Sequence, residues 1–117
     1  MISFIYIFFG GGIGSVVRYI ISLLFSNYSC VLGTLCANII SCILLGFSLF
    51  LVQKFELHDN IKLFFIVGFC GGLSTFSTFS YETLNLLKAG HLHYAFLNIL
   101  FSIFICFSVL YFLLKKL

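Results

Sequence analysis

Apolar residues fill the chain in four long runs, about Ile2 to Phe25, Val31 to Val52, Ile61 to Leu87 and Tyr94 to Leu114, with short polar joints between them. A helix needs about 20 apolar residues to cross the hydrocarbon core of a bilayer, so each run predicts one transmembrane helix. The joints carry turn signals. Ser26-Asn27-Tyr28-Ser29 forms the first, Gln53 to Asn60 holds most of the loop charge, and Lys88 to His93 contains the breaker Gly90. Met1-Ile2-Ser3-Phe4 has no basic stretch ahead of its apolar run and no small-residue cleavage site, which predicts that this segment is retained as the first helix. The expected fold class is an all-α membrane protein, with residues 1–117 forming a single four-helix transmembrane domain.

Composition sharpens this. Of 117 residues, 62% are hydrophobic and only 8% charged, whereas a soluble domain has roughly a quarter of its residues charged. A water-soluble globular fold is excluded, and an enzyme working in bulk water with it. The formal net charge of +3 comes from basic residues near the predicted membrane ends, so it speaks to topology and predicts no nucleic-acid partner. Four crossings place both termini on one side, together with Lys54, Lys62, Lys115 and Lys116. The other side holds Lys88 and, if its side chain snorkels, Arg18. That is a weak bias under the positive-inside rule. The five cysteines stand singly inside apolar runs and read as small packing residues. His91 and His93 form a lone H-x-H pair without neighbouring ligands, and predict no metal site.

The third run is unusual. It contains Gly68, Gly71 and Gly72, followed by Ser74-Thr75-Phe76-Ser77-Thr78-Phe79-Ser80, in a chain with no proline. A break in this helix is expected near Gly71–Ser74, made by the glycine pair, and it would free carbonyls that lipid cannot satisfy but a cation can. The alternative is that Gly71 and Gly72 only permit close helix packing.

Polar residues cluster in one half of the membrane. At about 1.5 Å per residue, Asn38 lies about 12 Å along the second helix, Ser102 about 12 Å along the fourth and Phe79 about 13 Å before Lys88, all measured from the side opposite the termini. Thr34 and Asn38 share a face of the second helix, and Tyr94, Asn98 and Ser102 repeat the four-residue spacing on the fourth. Arg18 and Glu82 fall in the same half. Buried polar groups of this kind either join helices or line a path. The matched depth favours a path, and because it stops at mid-membrane, a second copy inserted upside down would complete it. Beyond the expected break, Phe76 and Phe79 lie on one face, while Ser74, Thr78, Tyr81, Glu82 and Asn85 lie on the other. Aromatic edges carry positive potential, so the two phenylalanines can meet an anion edge-on.

The run Gly71-Gly72-Leu73-Ser74-Thr75-Phe76-Ser77-Thr78-Phe79-Ser80-Tyr81-Glu82 resembles the signature of the Fluc (CrcB) fluoride channels. Gly10-Gly11-Gly12-Ile13-Gly14 with Arg18-Tyr19 is similar to that family's first helix, and Gly33-Thr34-Leu35 with Asn38 to its second. The resemblance implies an antiparallel, dual-topology homodimer in the cell (inner) membrane, multi-pass, with two separate pores for fluoride ion and a structural sodium ion at the dimer interface. It implies that Phe76 and Phe79 are pore phenylalanines, Asn38 a pore amide and Thr34 its polar neighbour. Tyr94, Asn98 and Ser102 correspond to the polar track on the fourth helix, Arg18 to a vestibule arginine, and Gly71 and Ser74 to the sodium-holding backbone carbonyls. Two positions depart from the pattern: Ser74 stands where threonine is common, and Ser41 where glycine is expected.

Fluoride is small and strongly hydrated, so a pore must replace water's hydrogen bonds and still release the ion. The amide of Asn38 and the hydroxyls of Thr34 and Ser102 are neutral donors that can do this. The implied function is passive export of fluoride, with no chemical step. A small proton-coupled multidrug exporter would instead need a carboxylate deep in a helix, where the first helix has only Arg18. A non-conducting assembly subunit would use the polar tracks as helix glue.

Overall fold

In the computed structural model of the chain, which describes residues 1–116, four helical spans are long and apolar enough to cross a membrane: Ile2–Leu24, Cys30–Phe55, Asp59–Lys88 and Leu92–Lys115. The predicted runs differ from them most at the end of the second, Val52 against Phe55, a matter of three residues. The long axis of the molecule is 49 Å, more than the ~30 Å hydrocarbon core it has to cross.

We denote Ile2–Leu24 as α1 and Cys30–Phe55 as α2. The third span is compound. Its first part, α3 (residues 59–73), begins as one α-helical turn over Asp59–Lys62, widens to a π-helix over Leu63–Cys70 and closes with the α-helical turn Gly71–Leu73. Ser74 and Thr75 are extended. Then α4 runs over Phe76–Lys88 and α5 over Leu92–Lys115. The turn between α4 and α5 needs the left-handed φ of +83° at Gly90, which lets the His91 N–H reach back to the Leu86 carbonyl at 2.9 Å.

Packing is inverted relative to a soluble domain. Phe4, Phe8, Phe104, Phe107 and many other large apolar side chains are exposed, as bilayer-facing residues should be. The buried apolar residues are few and mostly small, Ala37, Cys70, Leu73 and Ala95. Lipid tails are as apolar as leucine, so close backbone approach is what joins the helices. Glycine supplies it between α1 and α3. A Cβ at Gly10 or Gly14 would overlap the carbonyl oxygens of Phe64 and Phe69, and one at Gly72 would stand 2.5 Å from the Gly11 carbonyl oxygen. Gly14→Ala is therefore expected to destabilise the protein by about 1–3 kcal/mol, read as a lower temperature of aggregation in detergent. Gly12→Ala, whose Cβ meets nothing within 4 Å, serves as the unaffected control.

The third helix breaks near Gly71–Ser74 as expected, but the glycine pair does not make the break. Gly71 keeps helical angles, φ −64° and ψ −35°, and Gly72 is committed to the contact with Gly11. The break falls at Ser74 (φ −81°, ψ 154°) and Thr75 (φ −152°, ψ 124°). Side-chain hydrogen bonds produce it. The Thr75 N–H, next in line after the Ser74 N–H that still bonds the Cys70 carbonyl, goes to Asn38 Oδ1 at 2.9 Å instead of continuing α3, and the Thr75 hydroxyl accepts from the Thr78 N–H at 3.1 Å, starting α4 as an N-cap.

Candidate functional site

One face of α2 fastens the broken span at three heights. Thr34, Asn38 and Ser41 stand at helical spacings of four and three, so they point the same way. The Thr34 hydroxyl donates to Glu82 Oε1 on α4 at 2.8 Å. Asn38 grips the break itself, because its Oδ1 accepts from the Thr75 N–H at 2.9 Å and its Nδ2 donates to the Thr75 carbonyl at 3.4 Å. The Ser41 hydroxyl donates to the Cys70 carbonyl on α3 at 2.8 Å. Ser41, the position where glycine was expected, thus adds a donor at the end of α3.

These bonds decide which backbone groups are left over. Continuation of α3 would have sent the Thr75 N–H to the Gly71 carbonyl, but Asn38 has taken it. The carbonyls from Gly71 to Ser74 are followed by extended backbone, so α3 supplies them no further N–H. On the other side of the break, the first N–H groups of α4, at Phe76 and Ser77, likewise have no preceding turn of helix to bond to. The break therefore offers bare oxygens at the end of α3 and bare donors at the positive end of α4.

Phe76 and Phe79 are one turn apart at the start of α4, with ring centroids 5.7 Å apart and planes tilted by 39°. Phe76 is 79% exposed in the single chain. Both line a cavity of about 320 Å³ together with Asn38, Ser74, Thr75 and Ser102. Behind the phenylalanines runs a one-way chain of hydrogen bonds. Ser102 donates to Asn98 Oδ1 at 3.3 Å, Asn98 Nδ2 to the Thr83 hydroxyl at 2.9 Å, and Thr83 to the Phe79 carbonyl at 2.8 Å. This chain ties α5 to the turn that carries Phe79.

The opposite face of α4 looks into a second cavity of about 250 Å³, where Thr34, Thr78 and Glu82 meet Arg18 of α1. Thr75 lines both cavities and forms the wall between them. Glu82 is only 8% exposed, and its Oε2 has no hydrogen-bond partner. Arg18 and Glu82 share the cavity without forming an ion pair; among the described residues the ion pair is Lys62 with Asp59, at 2.9 Å. A third cavity, about 430 Å³ between α2 and α3, is lined mainly by Leu44, Phe47, Leu51, Ile66 and Phe69 and offers little for an ion.

Asn38, Phe76, Phe79 and Ser102 are brought to one cavity, and Thr34 and Arg18 to the adjoining one. Gly71 and Ser74 flank the bare carbonyls. Asn98 is buried behind the first cavity rather than lining it, and Tyr94 stands away from both, exposed, with its ring 5.8 Å from that of His91. Three participants escaped the sequence reading: Ser41, Thr75 and Thr83. Ser41 and Thr83 were accessible to it, since Ser41 extends the Thr34–Asn38 face and Thr83 extends the Phe76–Phe79 face at helical spacing. Thr75 was not, because its role depends on where the helix breaks.

Comparison with known proteins places the whole chain. The family model described as CrcB-like protein, Camphor Resistance (CrcB), matches residues 5–113. A protein of Campylobacter fetus subsp. fetus named Fluoride-specific ion channel FluC is 44% identical over 110 residues, covering 87% of this chain and 86% of its own. Relatives of the same name from Leptospira interrogans and Pyrococcus abyssi are 45% and 41% identical, covering 92% and 87% of this chain and 83% and 85% of theirs. With a family match that takes in all four spans and relatives aligned over most of their length, the chain belongs to the CrcB family.

Proposed function

We propose that the chain forms a fluoride-selective channel that lets fluoride leave the cell passively across the membrane, with two antiparallel copies building the conducting unit. The observation that carries this reading is the break in the third span. There the Asn38 amide, which keeps one N–H beyond the one given to Thr75, and the rings of Phe76 and Phe79 line one cavity beside the positive end of α4, without a full positive charge. Neutral donors and aromatic edges can stand in for water around a small anion and still release it. Arg18 is set aside in the neighbouring cavity, where it can draw anions in without trapping them at the narrowest point. Relatives named as fluoride-specific ion channels support the choice of ion. The function is tested by expressing the protein in a bacterium stripped of its own fluoride exit route: growth in fluoride should be restored, and unchanged sensitivity with the protein present in the membrane counts against it.

The need for a second copy follows from the half-membrane extent of the polar lining and from the exposure of Phe76, which a partner would cover. The weak charge bias across the spans permits insertion in either direction. An impermeant amine reagent is expected to reach Lys115 and Lys116 from both faces of the membrane; labelling confined to one face in a functional preparation opposes the antiparallel arrangement.

A sodium ion fits the bare carbonyls at the end of α3. Gly71 and Ser74 would hold it by backbone oxygen, with the matching break of the second copy supplying the rest, and hard oxygen donors suit such a cation. Its contribution would be to satisfy groups that hydrocarbon cannot and so to join the copies. Fluoride flux is expected to fall after slow, verified sodium depletion and to recover on its return. Ser74→Ala should retain sodium-dependent activity, since the carbonyl remains.

A further inference from the structure

Four residues beyond Asn38 on α2 stands Cys42, and four beyond Ser102 on α5 stands Cys106. An α-helix repeats every 3.6 residues, so each thiol lies one turn further along the face that carries a polar residue of the site. All four side chains line the same cavity of about 320 Å³. The two thiols thus face the same space from two different helices. Neither has a part in the fluoride reading.

Their surroundings restrict what they can hold. Among the described residues, no group of three or more His, Cys, Asp or Glu side chains gathers to hold a metal, so the tetrahedral sets that suit zinc are not formed. Cys70 lines the apolar cavity between α2 and α3 instead. What remains is a pair of soft sulfur ligands on two helices, which matches a soft cation content with two ligands in line. We propose that Cys42 and Cys106 form a two-thiol site for a soft d10 cation of the Cu(I), Ag(I) and Hg(II) class, set in the wall of the candidate ion path.

Mercury(II) chloride delivers such a cation as a neutral, membrane-permeant molecule. Two Hg–Cl bonds break and two Hg–S bonds form, while the two thiol protons and two chloride ions leave to water. No oxidation state changes. Binding stands on the placement of the thiols alone, whereas loss of flux upon binding rests also on the fluoride reading.

The test uses the purified full chain in liposomes. After exposure to mercury(II) chloride, free thiols are alkylated with N-ethylmaleimide and the labelled positions are read by mass spectrometry. Cys42 and Cys106 should lose labelling together, and methylmercury, which takes one thiol only, should protect them at least about tenfold less well because the second sulfur no longer adds its effective concentration. Cys42→Ser should weaken protection of Cys106 to the same degree, and Cys106→Ser that of Cys42, whereas Cys36→Ser should leave the response unchanged. Independent labelling of the two positions, or equal protection by the two mercury compounds, overturns the site; the latter comparison needs no variant to fold. Fluoride efflux before mercury reports separately on the channel. Given efflux, it should fall at least about tenfold when both thiols are occupied and return with excess dithiothreitol. Undiminished efflux with both thiols occupied overturns their placement in the ion path.

Discussion

Asn38→Asp is expected to reduce fluoride flux by about a hundredfold or more. The side chain keeps the oxygen that accepts from the Thr75 N–H at 2.9 Å. It loses the Nδ2 donor that reaches the Thr75 carbonyl, so two oxygens face one another across the break. A carboxylate there also opposes an anion, and two like charges about 4 Å apart repel by roughly 4 kcal/mol at an effective dielectric of 20. Asn38→Ala separates the contributions. It removes both hydrogen bonds to Thr75, each worth about 0.5–1.5 kcal/mol, without adding charge. Flux through the aspartate variant in liposomes should be lower than through the alanine variant; equal flux would reduce Asn38 to a clamp on the break.

The second large effect is expected from the phenylalanine pair. Phe76→Ile and Phe79→Ile retain apolar bulk and delete the aromatic edge, whose interaction is worth about 0.5–1.5 kcal/mol beyond area. Each ring should therefore cost about tenfold in flux, with the oligomer still eluting intact. The two substitutions differ in what else they disturb. Phe76 is largely exposed in the single chain, whereas the carbonyl of Phe79 receives the Thr83 hydroxyl at the end of the chain from Ser102 and Asn98. That backbone bond survives the loss of the ring. Unchanged flux and unchanged fluoride-over-chloride selectivity in both variants would make the rings packing residues.

The periodicity of the chain was enough to place all four spans, because the bilayer imposes a long apolar run on every crossing and short joints leave few alternatives. It separated the two faces of α4 only in part, because Ser74, expected opposite the phenylalanines, lines their cavity, and Tyr81 and Asn85 line neither. Phe76 and Phe79 do line one cavity, and Thr78 and Glu82 the other. Spacing within one helix fails where the decisive partner is on another. Gly71 and Gly72 read as an equivalent pair, yet Gly72 is held against Gly11 and Gly71 meets nothing within 4 Å. The break lies beyond them because Asn38, thirty-seven residues earlier, takes the backbone of Thr75. Tyr94, Asn98 and Ser102 share a spacing but have three different surroundings: exposed at the helix end, buried in a hydrogen-bond chain, and lining a cavity.

Ser41 makes the same point for the sodium reading. Its hydroxyl and that of Ser74 both donate to the Cys70 carbonyl, which also accepts the Ser74 N–H at 3.1 Å. That oxygen is fully engaged within the chain. The cation would thus draw on the carbonyls that follow it, from Gly71 to Ser74, and the serine at position 41 leaves those free.

The most direct measurement is ion efflux from liposomes containing only the purified wild-type protein, with valinomycin and potassium holding the membrane potential. Rapid fluoride release, absent from protein-free liposomes and not matched by chloride under the same gradient, is the result the account predicts. Fluoride release no faster than from empty liposomes, or chloride released as readily as fluoride, would contradict it.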